Sequence, residues 1–389
     1  MMVTLRYARR VLPLTLLGAA LVLLFSLAGP ADEARAATTL TAAAGGFVPE
    51  EALELQTFFP KDITVVEGDT IDWNIIGFHT VSFLSGGERP DLIGPLPSGA
   101  LGFLAGFFPA GGQECDGSGL VNSGVPSEPA EGEPPPPPFS LTFTSAGFYE
   151  LVCLVHPGMT GSVTVLPAGS PAPASQADMD ATAAAQLSDL MNQAQAQLAR
   201  VQPPVLTLPD GTREHHVVVG RDQDDVEYLR FLPGERSIDV GDTVLWQARA
   251  GEAPHTVAFL SGAEAPELVL VEPQAAGPPN LLFNPVVLAP SGADTYSGSG
   301  FFNSGFLLGR DGPPGAPKSY SLKFDTPGTF DYICLVHGPL MTGTITVSAG
   351  LPSVGGFAPT PLMGVFAGLI GLVMVAGGGL LVARRSRSI

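Results

Sequence analysis

Cysteine and histidine are scarce in this chain of 389 residues, which contains three cysteines and six histidines. Three cysteines cannot build the disulfide framework that holds a small secreted domain together. Most of these rare residues nevertheless fall at matching positions of an internal repeat. They are Cys153, His79 and His156 in the first copy and Cys334, His255 and His337 in the second.

Charge is also sparse, and positive charge most of all. Charged residues make up 14% of the chain, with 18 lysines and arginines against 37 aspartates and glutamates and a net charge of −19. This balance excludes the basic surface that nucleic-acid binding needs, and it favours a protein partner with a basic docking face. Glycine (48) and proline (38) are abundant, which predicts loop-rich β domains.

One stretch that gathers cysteine, histidine and methionine occurs twice. Residues 153–159 read Cys-Leu-Val-His-Pro-Gly-Met, and residues 334–341 read Cys-Leu-Val-His-Gly-Pro-Leu-Met. Alternating strand patterns flank both copies, and the elements that precede them recur in the same order. The sequence therefore predicts two β domains in tandem.

Composition divides the chain into successive segments. Basic residues, an apolar run and an Ala-x-Ala ending predict a cleaved signal peptide, with an uncleaved membrane helix as the alternative. A late uncharged run before an arginine-rich tail predicts a membrane anchor. Alanine and glutamine at helical spacing predict a linker helix that acts as a spacer, with packing on a domain as the alternative. Residues 38–46 are interpreted as a flexible spacer. The segments are a signal peptide (1–36), a first β domain (47–167), a Pro/Ala-rich and helical linker (168–204), a second β domain (205–349) and a transmembrane anchor (362–383).

The arginines after the anchor place the two domains on the outer side of the cytoplasmic membrane. The alternative is sorting to the cell wall, because residues 351–355 (Leu-Pro-Ser-Val-Gly) resemble a sortase signal. That signal normally has threonine where this chain has Val354, so we expect anchoring to the membrane.

Each repeat offers one thiolate, two imidazoles and one thioether, a ligand set that suits both copper(I) and copper(II). The candidate ligands are His79, Cys153, His156 and Met159 in the first domain, and His255, Cys334, His337 and Met341 in the second. Zinc sites rarely use methionine, and a Cys-His nucleophile would need an orienting group that the sequence does not offer. The second loop is one residue longer, so Leu340 is the alternative to Met341 by spacing.

The pattern Cys-x-x-His-Pro-x-Met-x-Gly, preceded by Gly-Asp-Thr-x-x-Trp and His-Thr-Val, resembles the cupredoxins, the type 1 blue copper proteins of the plastocyanin and amicyanin family. The resemblance implies an all-β fold of two Greek-key β-sandwich domains, with one type 1 copper in each and two in total. It implies equatorial thiolates from Cys153 and Cys334, axial methionines, and electron transfer through the exposed ligand histidines His156 and His337.

These features together predict an exported blue copper protein that carries single electrons and is not an enzyme. The alternatives are copper storage or delivery without redox turnover, and a surface module without metal. Multicopper oxidases need His-x-His pairs and a His-Cys-His segment, which this sequence lacks. Outside the repeat, Cys115 is expected to be a free or partly buried thiol, with a third copper contact as the alternative. His215 and His216 are expected on the solvated surface.

Overall fold

The computed structural model describes residues 35–127, 134–223, 225–249, 253–309, 312 and 314–349. The signal peptide, apart from its last two residues, the membrane anchor and the cell-wall signal predicted from the sequence all lie outside these ranges. Within them, no helix is both long enough and apolar enough to cross a membrane.

Strands dominate the described residues, and those of the first half recur in order in the second half. The first half contains β1 (Thr39–Val48), β2 (Leu53–Phe59), β3 (Asp62–Val66), β4 (Thr70–Ile75), β5 (Ser82–Phe83), β6 (Ile93–Pro95), β7 (Leu101–Phe103), β8 (Glu114–Cys115), β9 (Val121–Asn122), β10 (Phe139–Phe143), β11 (Gly147–Val152) and β12 (Thr160–Leu166). The second half contains β13 (Val205–Thr207), β14 (Arg213–Gln223), β15 (Val226–Leu232), β16 (Glu235–Asp239), β17 (Thr243–Gln247), β18 (Ala258–Phe259), β19 (Val269–Glu272), β20 (Asn280–Phe283), β21 (Thr295–Tyr296), β22 (Phe302–Asn303), β23 (Ser319–Phe324), β24 (Gly328–Cys334) and β25 (Gly338–Ser348). The helices are α1 (Gln176–Leu198) and α2 (Pro285–Leu288), with short 3-10 turns at Pro49–Glu51 and Ala105–Phe107.

Each half is a β-sandwich with its own core. In the first half the sheet β3-β12-β11-β5-β9 faces β2-β1-β4-β10-β8, and in the second half β16-β25-β24-β18-β22 faces the matching strands. Trp73 and Trp246 are fully buried in the two cores, as expected for the Gly-Asp-Thr-x-x-Trp strands. Burial of large aromatic side chains between two sheets is the main source of stability in such a sandwich.

The two halves are joined by strand pairing about a local two-fold axis. Strand β2 pairs with β15 in antiparallel register, with Glu54 opposite Glu227. These two glutamates are equivalent in the repeat, because both lie in the strand pattern that recurs at a constant spacing (227 − 54 = 173). Likewise Gly102 of β7 pairs with the equivalent Leu282 of β20. Strands β6 and β7 of the first half and β19 and β20 of the second half, which lie in the inserts before the cysteine hairpins, therefore form a second sheet across the same axis. This arrangement resembles the isologous interface of a homodimer.

The interpretation of residues 38–46 as a flexible spacer is wrong, because they form β1. This strand runs parallel to β4 and antiparallel to β2 in the first sandwich. Leu40, Ala42 and Ala44 alternate into the core. Alanine gives only a weak alternation of hydrophobicity, which is why the strand was not recognised in the sequence.

The linker helix was predicted correctly, but its interpretation as a spacer is wrong. A capping box between Ser175 and Asp178 fixes the start of α1. Leu190 and Ala194 then pack with residues of both β2 and β15. The Tyr228 hydroxyl donates to the carbonyl oxygen of Ala194 at 2.6 Å, so the helix covers the junction between the two halves.

The shared Asn-Ser pair of the inserts explains why part of each insert is ordered. The Nδ2 group of Asn122 donates to the carbonyl oxygens of Gly106 and Phe108, which closes the 3-10 turn onto β9. The hydroxyl oxygen of Ser123 accepts the backbone N–H of Val81, two residues after His79. The insert therefore holds the strand that begins at a predicted metal ligand.

The unmatched histidines and cysteine lie inside the protein. His215 and His216 are buried on β14, where their Nε2 atoms lie 3.0 Å from Asp242 and 2.8 Å from Glu214, so the prediction of a solvated surface position is wrong. Strand β14 lies between β15 and β17 in the sheet, and β13 pairs with its start, with Val205 opposite His215. Cys115 is a free thiol buried in the first core.

Asp69 supports the fold in a way that depends on pH. Burial raises the pKa of its carboxyl, but hydrogen bonds from Arg35 and from the backbone N–H groups of Val66 and Thr38 outweigh burial and lower the pKa. Arg35 lies within the predicted signal peptide, whereas the two backbone donors follow it and remain after cleavage. A carboxyl whose pKa is lowered on folding stabilises the protein above its unfolded pKa of about 4, and this contribution is lost as the pH falls through the folded pKa.

We expect Asp69→Asn to lower the free energy of unfolding by about 1–3 kcal/mol at pH 7, because the charged acceptor is lost, and to have less effect near pH 3. Urea unfolding at both pH values measures this. The control is Asp62→Asn, because Asp62 accepts a hydrogen bond from Ser162 at an exposed position. An equal loss at both pH values would contradict the prediction.

Candidate metal centres

Three donor atoms from two distant segments meet at one end of the first sandwich. The Nδ1 atoms of His79 and His156 lie 3.1 Å apart, and the Cys153 sulfur lies 4.0 Å and 3.9 Å from them. His79 comes from the segment before β5, while the other two come from the loop between β11 and β12. Both histidines present the same ring nitrogen to the sulfur, so the three atoms surround one point, as a bound metal ion requires.

The second half repeats this arrangement with His255, Cys334 and His337. The three ligand atoms lie within 4.8 Å of one another. The Cys334 sulfur is 3.4 Å from Nδ1 of His337. Nδ1 of His255 is buried and has no hydrogen-bond partner among the residues that the structure describes. A soft sulfur and two imidazole nitrogens, of which the His255 nitrogen is the unpartnered one, fit copper in this half as well.

The predicted methionine ligands are both buried beside their cysteines. Met159 closes a tight loop, in which its backbone N–H donates to His156 and its carbonyl oxygen accepts from Cys153. In the second loop a register shift after Ile333 absorbs the extra residue. Met341 is then 0% exposed and Leu340 is 51% exposed, so the methionine is the residue that faces the core.

The backbone supplies a hydrogen bond to each sulfur. The N–H of Thr80 donates to the Cys153 sulfur at 3.3 Å, and the N–H of Thr256 donates to the Cys334 sulfur at the same distance. The hydroxyl of Thr80 also accepts the N–H of Leu154, which ties the histidine segment to the cysteine strand. Hydrogen bonding around a cysteine sulfur is one of the factors that tune the potential of a copper site.

The electrostatics keep both cysteines in the form that binds metal. Burial raises the pKa of each thiol, but the neighbouring histidines outweigh burial and lower the pKa of Cys153 and of Cys334 well below the usual range. Burial lowers the pKa of His79 and of His337, but the thiolates and nearby carboxylates outweigh it and raise each pKa to about 9. The surroundings of both thiols therefore favour the thiolate, which is the form that binds metal.

Two carboxylates at the junction face the outer nitrogens of the ligand histidines. Oε1 of Glu54 lies 3.2 Å from Nε2 of His79, and Oε1 of Glu227 lies 3.3 Å from Nε2 of His255 and 3.9 Å from Nε2 of His337. Burial raises the pKa of Glu54, but His79 and, across the junction, His337 contribute to lowering it to about 2. Carboxylates in this position fix the ring orientation of metal-binding histidines.

A glycine with positive φ lies against the buried histidine in each half. A Cβ atom on Gly45 (φ +76°) would lie 2.1 Å from Cδ2 of His79, and one on Gly220 (φ +56°) would lie 2.0 Å from Nε2 of His255. Both glycines lie at register shifts, in β1 and in β14 respectively. The β-bulges therefore bring the backbone so close to the histidine ring of each half that no side chain fits between them.

The structure brings together the two histidines and the cysteine that the sequence predicts as ligands in each half. The glutamates and the bulge glycines around them were not predicted from the sequence. The recurrence of both residue types at equivalent positions was the available signal. Nor was Arg89 predicted, whose guanidinium donates to the carbonyl oxygen of Cys153 at 2.8 Å. The equivalent position of the second half is Ala265 (265 − 89 = 176), which carries no charge.

Comparison with known proteins gives one informative relative. No family model matches the chain. Over 122 residues the chain is 34% identical to a plastocyanin from Scenedesmus fuscus, an alignment that covers 31% of this chain and 87% of that protein.

Solved structures with similarity to the chain include a mutant amicyanin in its Cu(I) form, at 22% identity and a TM-score of 0.21, with coverage of 39% of this chain and 89% of that chain. A mutant fern plastocyanin matches at 22% identity and a TM-score of 0.19, with coverage of 34% of this chain and 99% of that chain. The sequence identity to the Scenedesmus protein extends over most of that protein's length. The chain therefore belongs to the plastocyanin family of cupredoxins.

Proposed function

We propose that the protein is a tandem cupredoxin that holds one type 1 copper in each half and carries single electrons. The observation that carries this proposal is the recurrence of one arrangement, in which two histidines converge on a buried cysteine whose sulfur accepts a backbone N–H. Family membership supports copper as the metal and electron transfer as the activity.

Each ligand has a defined role in this proposal. Copper supplies a one-electron couple when it is bound. Cys153 and Cys334 would hold the copper through their thiolates, and Met159 and Met341 would offer thioethers to it. The full burial of both sulfurs excludes water and exchanging ligands, which favours electron transfer over metal storage or delivery. His156 is partly exposed, which suits it to pass electrons to and from a partner.

The partner and the location are further parts of the proposal. The net charge of −19 supports a redox partner with a basic docking face. The basic start of the chain, the apolar run near its end and the arginines after it support export and anchoring to the cytoplasmic membrane, with both domains outside.

Copper quantification and a visible spectrum of the purified protein test the proposal. We expect two coppers per chain and an intense visible absorption that disappears on reduction and returns on reoxidation. Colourless binding of copper(I) without this spectrum would favour storage or delivery. A protein purified from copper-supplemented cells without bound copper would exclude both functions.

We also expect the two coppers to differ in reduction potential. The second ligand loop contains an extra residue and a register shift, and the first site has Arg89 beside it where the equivalent residue of the second half is Ala265. Both differences act on the surroundings of the sulfur and the axial ligand, which tune the potential of a copper site. A spectroelectrochemical titration should resolve two one-electron steps, and Cys153→Ser and Cys334→Ser variants assign them. One step for both sites would contradict the prediction.

A further inference from the structure

We propose that the second metal site is built by both halves of the chain, with Gln56 of the first half acting as a positioning residue for the histidines of the second site. Gln56 acts through Glu227, which lies beside the two-fold axis, opposite Glu54. The proposal rests on the proposed function, because it concerns how the same copper site is supported.

The junction brings the two carboxylates together on one face of the sheet. Glu54 and Glu227 are directly opposite in antiparallel strands, so their side chains point to the same side and their Cα atoms are roughly 4.5–5.5 Å apart. Each carboxylate faces a buried ligand histidine of its own half. His79 and His255 are therefore each paired with a carboxylate on this face of the sheet.

This pairing costs stability unless positive groups offset it. Like charges directly opposite in a strand pair are destabilising, and these side chains are only 12% and 1% exposed. Oε1 of Glu227 has no hydrogen-bond partner among the described residues, and Nε2 of His255 and of His337 lie nearest to it. An imidazole that binds metal through Nδ1 must carry its hydrogen on Nε2, so metal binding places two N–H groups beside this oxygen.

The other oxygen of Glu227 is held from the opposite half. Nε2 of Gln56 donates to Oε2 of Glu227 at 2.9 Å in a buried contact. The position equivalent to Gln56 in the second half is Leu229 (229 − 56 = 173), which offers no donor to Glu54. The support is therefore one-sided, and a side chain of the first half fixes the carboxylate that faces both histidines of the second site.

The test is Gln56→Leu in the full-length protein, because leucine is the residue at the equivalent position. The substitution is made in Cys153→Ser protein, where only the second site binds copper, and in Cys334→Ser protein, where only the first does. Removal of support behind ligand histidines typically costs 10–100-fold in metal affinity. We expect a loss in this range, with an altered visible spectrum and potential, at the second site alone.

Glu214→Gln is the matched control, because Glu214 makes a similar contact with Nε2 of His216, which is not a metal ligand. We expect this control to leave copper affinity and spectrum unchanged. If Gln56→Leu leaves the second site unchanged, or weakens both sites equally, the inference is wrong. Glu227→Gln, which keeps the side-chain shape, provides an independent variant and should also alter the second site. Failure of the parent protein to bind two coppers would instead overturn the proposed function.

Discussion

Substitution of Cys153 by serine is expected to remove one copper from the protein, and substitution of Cys334 is expected to remove the other. Both sulfurs are buried and face two ring nitrogens, and a serine hydroxyl is neither ionised nor soft enough to replace the thiolate. Each single variant should lose roughly half of the visible absorption, since each site contributes one copper–thiolate centre. The double variant should be colourless.

The chain provides a matched control in its third cysteine. Cys115 is buried in the first core and belongs to neither donor group, so Cys115→Ser should leave copper content and spectrum unchanged. Measurement of copper per chain with the visible spectrum distinguishes the outcomes. Unchanged copper content in the Cys153→Ser and Cys334→Ser double variant would mean that the domains hold no metal at these residues.

The donor residues could be predicted from sequence because their chemistry is specific. Few residue types bind copper, and the repeat pairs His79 with His255 although both lie far from their cysteines. The supporting residues could not be predicted in this way. Glycine and glutamate are common, and Gly45 or Glu54 gains a meaning only when the fold brings it against a histidine ring.

The strand pairing between the two halves could not be predicted from the sequence for a different reason. A repeat shows that two domains are similar, but it contains no information on which strands of the two copies pair. The pairing of β2 with β15 depends on surface complementarity and on the packing of α1, whose alanine-rich face gives a weak signal. The sequence predicts two domains in tandem joined by a spacer helix. It does not predict the junction between them, whose glutamates contact predicted ligand histidines of both sites.

The bulge glycines lead to the second large expected effect. Gly45→Ala would place a methyl group 2.1 Å from the His79 ring on a backbone with φ +76°. A left-handed conformation costs a non-glycine residue about 1–2 kcal/mol, and overpacking costs about 1–3 kcal/mol more. We expect the free energy of unfolding of the metal-free protein to fall by about 2–5 kcal/mol, and copper affinity to fall at the first site because the ring must move.

The variant Gly68→Ala separates the cost of the left-handed backbone conformation from the cost of overpacking against His79. Gly68 has φ +93°, but a Cβ atom at this position would have no atom of the described residues within 4 Å apart from its chain neighbours, so the substitution adds backbone strain without touching a ligand. Its expected cost is about 1–2 kcal/mol, with copper affinity unchanged. Urea unfolding and copper competition on both variants measure the difference. If Gly45→Ala were no more damaging than Gly68→Ala and kept full copper affinity, close packing of the bulge against His79 would not be what positions this ligand.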